Sequence, residues 1–161
     1  MVKILIKKIN PKAEIPKYKT VGSSGMDLMA LIDEKIIIKP GESSLVPTGI
    51  SLAIPEDTEI QIRPRSGLAA KSSISVLNTP GTIDSDYRGE LKIILYNHGS
   101  RNFEVNNSDR IAQMILMPVL KAELEEVNEL PTTVRGSGGF GSTGRWVIYS
   151  INNQLKDIRD K

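Results

Sequence analysis

The chain has 161 residues, with 21 Lys and Arg against 19 Asp and Glu for a net charge of +2, no cysteine, one histidine and 4% aromatic residues. That length suits one compact, soluble domain with a core of Ile, Leu and Val; the missing cysteines exclude disulfides and thiolate metal sites, and a lone His98 excludes sites needing two histidines. The near-neutral charge speaks against a nucleic-acid polymer as partner, and no apolar run approaches the ~20 residues of a membrane span, so no membrane is expected.

At the N-terminus, Lys3, Lys7 and Lys8 interrupt VKILIKKI where a signal peptide needs an unbroken apolar stretch, so the expected compartment is the cytoplasm. SGMDLMA at 24–30 sets Asp27 at the mouth of a strand, a position where an acid after a glycine also reads as a turn residue. Short apolar runs then recur about every ten residues, divided by Gly, Pro, Asn and Ser: KIIIKPG, SLVPTGISLAIPED, EIQIRP, SISVLNTPG, ELKIILYNHG, NFEVNNSD and RIAQMILMPVL. This pattern predicts an all-β sandwich or barrel with little helix.

Within that pattern, IRPRSGLAA at 62–70 has Arg63 and Arg65 flanking a proline, and Ser66 and Gly67 opening a helical turn over 67–71. Guanidinium groups, a hydroxyl and free N–H groups make an anion site, or else a solvated basic turn. NTPGTIDSDYRGE at 78–90 crowds Asp84, Asp86, Tyr87 and Arg88 at a hairpin end, more chemistry than a hairpin requires. His98 lies in YNHGS, a turn between strands, and reads as a surface residue rather than part of a serine hydrolase. In DRIAQMIL at 109–116, Gln113 interrupts an apolar stretch, on an exposed face or aimed at a ligand.

Residues 121–134, with Glu123, Glu125, Glu126, Glu129 and Pro131, form a polar lead-out from the body. It runs into RGSGGFGSTG at 135–144, which holds five glycines, Arg135, Phe140, Ser142 and Thr143. Glycine lets the main chain close on phosphates, the arginine offers a planar fork, and the aromatic can stack on a base. A plain flexible linker is the alternative. The last residues place Ile151, Leu155 and Ile158 at helical spacing. The chain thus divides into a β-body over 1–134, a glycine-rich arm over 135–144 and an extension over 145–161, without internal repeats.

Taken in order, SGMDLMA, RPRSGLA, NTPGTIDSDYRGE, DRIAQM and RGSGGFGSTG resemble the five ordered motifs of the dUTPase family, the trimeric dUTP pyrophosphatases. The resemblance implies an all-β, jelly-roll-like distorted barrel and a homotrimer whose active sites each draw on all three chains. It also implies Mg²⁺-dependent hydrolysis of dUTP to dUMP and pyrophosphate, which limits uracil incorporation into DNA and supplies dUMP for thymidylate synthesis.

Carried over by position, the resemblance makes Asp84 the acid that activates the water attacking the α-phosphorus, a choice over Asp86 that the residues alone leave open. Asn78 and the hairpin backbone through Gly81, Thr82 and Ile83 match the family's uracil reader, and Tyr87 matches the surface under deoxyribose, where a 2′-hydroxyl would clash. Asp27 corresponds to the acid that holds metal-bound water, in keeping with a Mg²⁺ that retains waters and takes phosphates as direct ligands. Arg65, Ser66, Gly67 and Gln113 correspond to phosphate contacts. Arg135, Phe140, Gly141, Ser142 and Thr143 correspond to the closing arm, with Phe140 over uracil and the hydroxyls near the γ-phosphate.

Two features depart from the family pattern. Ser108 stands where a glycine is usual before the Asp-Arg pair, and RWVIYSINNQLKDIRDK continues for 17 residues beyond the arm. A dCTP deaminase shares the implied fold, but TIDSDYRGE argues against its catalytic region. A non-catalytic nucleotide-sensing module would be marked by loss of the acid at 84, which is present.

Overall fold

A computed structural model describes residues 2–139 of the chain. The strands are β1 (Leu5–Lys8), β2 (Met26–Met29), β3 (Ile36–Ile38), β4 (Ser43–Pro47), β5 (Ile50–Ala53) and β6 (Thr58–Arg63). After α1 (Ser66–Ser72), the single helix among the described residues, come β7 (Ile74–Val76), β8 (Gly81–Ile83), β9 (Lys92–Asn97), β10 (Phe103–Val105) and β11 (Arg110–Pro118). The chain divides into a unit ending at Ala122, which holds all of these elements, and a second unit beginning at Glu123.

Every pairing is antiparallel: β2-β11-β6-β8 form one sheet, β4-β9-β7 another, and β1-β5 and β10-β3 are two-stranded. The two-residue period of each strand decides what is buried. In β6, Ile60 and Ile62 face the core while Glu59, Gln61 and Arg63 face outward; in β9, Ile93, Leu95 and Asn97 are the inward set. These inner faces meet in one apolar cluster with Leu28, Ile74 and Ile111. Asn97 is the polar exception at 1% exposed, and it is satisfied: its Nδ2 donates to Ile38 O and Arg101 O, both at 2.8 Å, and its Oδ1 accepts from Gly99 N–H.

Over the described residues the fold is all-β with one short helix, as the spacing of the apolar runs predicts. The helical turn expected over 67–71 is longer by one residue at each end, and it stops at Ser73, whose φ of 55° is left-handed and whose N–H donates to Ala69 O. Asp27 lies inside strand β2, so it is not a turn residue. No helix among the described residues is long and apolar enough to cross a membrane.

Candidate functional site

Gln113 on β11 pairs with Asp27 on β2 at one side and Arg63 on β6 at the other, which sets the three on the outer face of the sheet while Met26, Met114 and Ile62 face the core. Arg65, just beyond β6, reaches back across this face. Its Nε donates to Asp27 Oδ1 at 2.8 Å and its Nη1 to Arg110 O at 3.2 Å, while Arg110 Nη1 lies 3.4 Å from Asp27 Oδ2. A carboxylate with only 16% of its side chain exposed thus holds two guanidinium groups in place. Arg65 retains N–H donors beyond these contacts, enough for an incoming anion.

Gln113 donates from Nε2 to Pro64 O at 2.9 Å, fixing the turn that launches α1. Its Oε1 faces Gly25, where a Cβ would sit 2.7 Å away, so the glycine of SGMDLMA makes room for the amide. Ser66 and Gly67 are exposed in the first turn of α1, where their N–H groups have no upstream helical acceptor. Arg63 does not join them: its Nε donates to Gln61 Oε1 at 3.1 Å along its own strand, so the pair of arginines flanking Pro64 is divided.

Arg110 carries a position that strand alternation conceals. Arg110 and Gln113 are three residues apart and would face opposite ways on a regular strand, but a register shift between Arg110 and Ala112 restores both to Asp27's face. The turn delivering Arg110 passes through Ser108, at a left-handed φ of 67°, and is closed by Asp109 Oδ2 accepting from Asn106 N–H at 2.7 Å.

A second group of residues surrounds β8. The chain leaves β7 through Asn78 and a cis Thr79-Pro80 bond. At Gly81 a Cβ would come within 3.1 Å of Asn78 Nδ2 and 3.4 Å of Ile62 Cβ, so the glycine lets the Asn78 amide lie against the strand. Beyond β8, Tyr87 N–H donates to Asp84 O at 3.2 Å and Arg88 Nη1 donates to Ser85 O at 2.7 Å, closing a turn with the Asp84 carboxylate exposed. A cavity of about 320 Å³ is lined by Thr82, Ile83, Asp84 and Tyr87, with Leu45, Ile94, Glu90 and Lys92 around them. Asp86 is not in its lining.

These two groups do not meet within one chain. Gly81 pairs with Ile62 and Ile83 with Ile60, so Asp84 lies past the far end of β8, on the sheet edge opposite β2. Four residue steps along and three strands across separate it from Asp27 by roughly 15–20 Å. In the second unit, Arg135 Nε donates to Gly138 O at 2.8 Å and Gly136 has a left-handed φ of 52°. Phe140, Gly141, Ser142, Thr143 and the extension 145–161 lie outside the described residues.

His98 is exposed, with its Nε2 2.8 Å from Ser75 Oγ and its ring edge-on to Tyr96 at 4.4 Å. Among the described residues no carboxylate is hydrogen-bonded to it, so the group that would orient the base of a serine hydrolase is missing. Nor do any three His, Cys, Asp or Glu side chains among them converge as a metal cage.

A family model described as dUTPase matches residues 11–144. The chain is 55% identical over 144 residues to the deoxyuridine 5′-triphosphate nucleotidohydrolase of Nautilia profundicola, covering 89% of this chain and 100% of that protein. It is 56% identical over 144 residues to the protein of the same description from Clostridium acetobutylicum, covering 89% and 98%. Among solved structures it is similar to a mutant of the Staphylococcus bacteriophage 80alpha dUTPase with dUpNHpp, at a TM-score of 0.80 and 23% identity over 88% of this chain and 98% of that one. A mutant dUTPase of S. aureus phage phi11, described for its coordination of a structural Mg(II) ion, has a TM-score of 0.73 at 21% identity over 81% and 99%. The body therefore has the jelly-roll-like β fold of these structures.

Proposed function

The chain belongs to the dUTPase family, and from that membership we infer that it hydrolyses dUTP to dUMP and pyrophosphate with Asp84 as the base. The observation that carries the assignment of the base is the cavity at the end of β8, where Asp84 is exposed beside Tyr87 and from which Asp86 is absent. Asp84 takes a proton from water as its oxygen attacks the α-phosphorus, the bond to the bridging oxygen breaks, and pyrophosphate leaves. Asn78, held against Gly81, presents its amide to the uracil edge, and the backbone of Gly81, Thr82 and Ile83 completes the reading of the base. Tyr87 offers its ring to deoxyribose. Arg65, Ser66, Gly67 and Gln113 grip and orient the phosphates, and Arg135, Phe140, Gly141, Ser142 and Thr143 close over the nucleotide.

The donor set suits a magnesium ion held through water and substrate. Asp27 is the one carboxylate in the phosphate-gripping group and both its oxygens face guanidinium groups, which leaves it to hold such an ion through a water rather than directly. Bound there, Mg²⁺ would offset the triphosphate charge and hold the phosphates in line.

The separation of Asp84 from the Arg65 group supports a site completed by other copies of the chain. Leu45 lines the Asp84 cavity and is 54% exposed, and Leu77, near it across β9, is 51% exposed, so an apolar surface adjoins the site. A homotrimer with shared sites accounts for both.

The test is pyrophosphate release from dUTP beside dTTP, dCTP and UTP, with and without Mg²⁺. Selective release from dUTP is the expected result. Ammonia release from dCTP would instead favour a deaminase, and tight dUTP binding without turnover a sensing module.

A further inference from the structure

Gly89 is not a glycine for backbone reasons. Its φ is outside the left-handed region, where Gly41, Gly49 and Gly136 are found, and an alanine could adopt the same conformation. What excludes a side chain is Tyr87. A Cβ at Gly89 would collide with Tyr87 Oη and come within 2.5 Å of Cζ and 2.9 Å of Cε2, because the phenol folds back across the main chain two residues on.

The phenol is held in that position from its far end. Tyr87 Oη donates to Glu90 O at 3.1 Å, and Glu90 is itself fixed, with Oε1 accepting from Gly49 N–H at 2.9 Å and Oε2 3.6 Å from Lys92 Nζ. Tyr87 is 43% exposed and lies outside the core cluster, so its phenol is located by the bare backbone of Gly89 and the Glu90 carbonyl. Tyr87, Asp84 and Glu90 line the same cavity.

We propose that Gly89 is a positioning residue for sugar selection, seating the Tyr87 phenol against the main chain and so fixing the wall of the slot that admits deoxyribose and refuses ribose. This rests on the reading that Tyr87 faces the sugar. A methyl at position 89 displaces the ring. With the ring off its seat the slot loses its fixed wall against a 2′-hydroxyl and opens to UTP, so discrimination falls.

The experiment is a double-mutant cycle on the full chain, with kcat and KM measured for dUTP and UTP. Gly89→Ala should lower the ratio of kcat/KM for dUTP to that for UTP by at least about tenfold, chiefly through KM, with Asp84-dependent kcat on dUTP within about threefold. In the Tyr87→Ala background the same substitution should change the ratio no further. An unchanged ratio in Gly89→Ala, or an equal loss with and without the ring, overturns the proposal.

Tyr87→Ala alone reads the underlying assignment. An unchanged ratio there overturns the sugar-facing role and this inference with it, whereas a lowered ratio there beside an unaffected Gly89→Ala overturns this inference alone. Should Gly89→Ala not fold, the double variant decides: folding restored by removing the ring supports the seat, and continued failure assigns the glycine to the backbone and overturns it.

Discussion

Asp84 is exposed at the edge of a cavity and hydrogen-bonded through its backbone to the turn that carries Tyr87, so its carboxylate is free to meet water. Replacing it with the isosteric amide keeps shape and removes basicity. Asp84→Asn should bind dUTP with little change yet turn it over at least about a hundredfold more slowly, as measured by pyrophosphate release in single-turnover conditions. Asp86→Asn should retain near-normal turnover; the opposite pattern would move the base to Asp86. Ser108 offers a prediction about stability. A left-handed conformation costs a non-glycine residue roughly 1–2 kcal/mol, and glycine loses about 0.5–1 kcal/mol more backbone entropy on folding, so Ser108→Gly should stabilise by up to about 1 kcal/mol. The unfolding temperature should rise by at most about 2–4 °C without loss of activity, since the turn is altered and Arg110 is not. The chemistry-bearing residues themselves were legible in the sequence as clusters. Arg110's side of the strand was not, because a bulge breaks the alternation on which such a reading depends.

The strands with a clean two-residue period, β6 and β9, stand where the sequence places them, because burial of alternate residues leaves one register open to them. β8 is harder to read. Three residues show too little pattern, and what defines it is the partner strand β6 rather than its own propensity. Asp27 shows the same limit: glycine and acid suggest a turn locally, and pairing with β11 overrides that preference. In α1 the opposite reasoning applies, since Gly67 has ordinary φ and open space where a Cβ would be. Nothing in the fold requires glycine there. Close approach of a phosphate to the first-turn N–H groups, as proposed, would require it, so the two effects of Gly67→Ala should have opposite signs. Helix propensity and reduced freedom of the unfolded chain should raise stability by about 0.4–1 kcal/mol. At the same time KM for dUTP should rise at least about fivefold, the loss of roughly one charge-assisted hydrogen bond or less. Thermal unfolding and steady-state kinetics on one preparation check both signs, and an unchanged KM would remove Gly67 from the phosphate site.

The wide separation between Asp84 and the Arg65 group turns assembly into an arithmetic question for the whole molecule. Suppose each site takes Asp84 from one chain and Arg65 from the next around a three-fold ring. Asp84→Asn and Arg65→Gln are then each inactive alone, because every site in either homotrimer lacks one group. In any mixed trimer, one junction joins an intact Asp84 to an intact Arg65. Random assembly at equal ratio makes about three quarters of the trimers mixed, each with one working site in three, so activity should recover to about a quarter of the unsubstituted enzyme. The two variants need to be co-expressed, or unfolded and refolded together, because trimers mixed after assembly exchange chains only as fast as they dissociate. If a single chain built its own site, co-assembly would restore nothing at any ratio. Recovery near a quarter, peaking at equal proportions and accompanied by trimeric mass in solution, therefore tests the shared site and the oligomer with one titration.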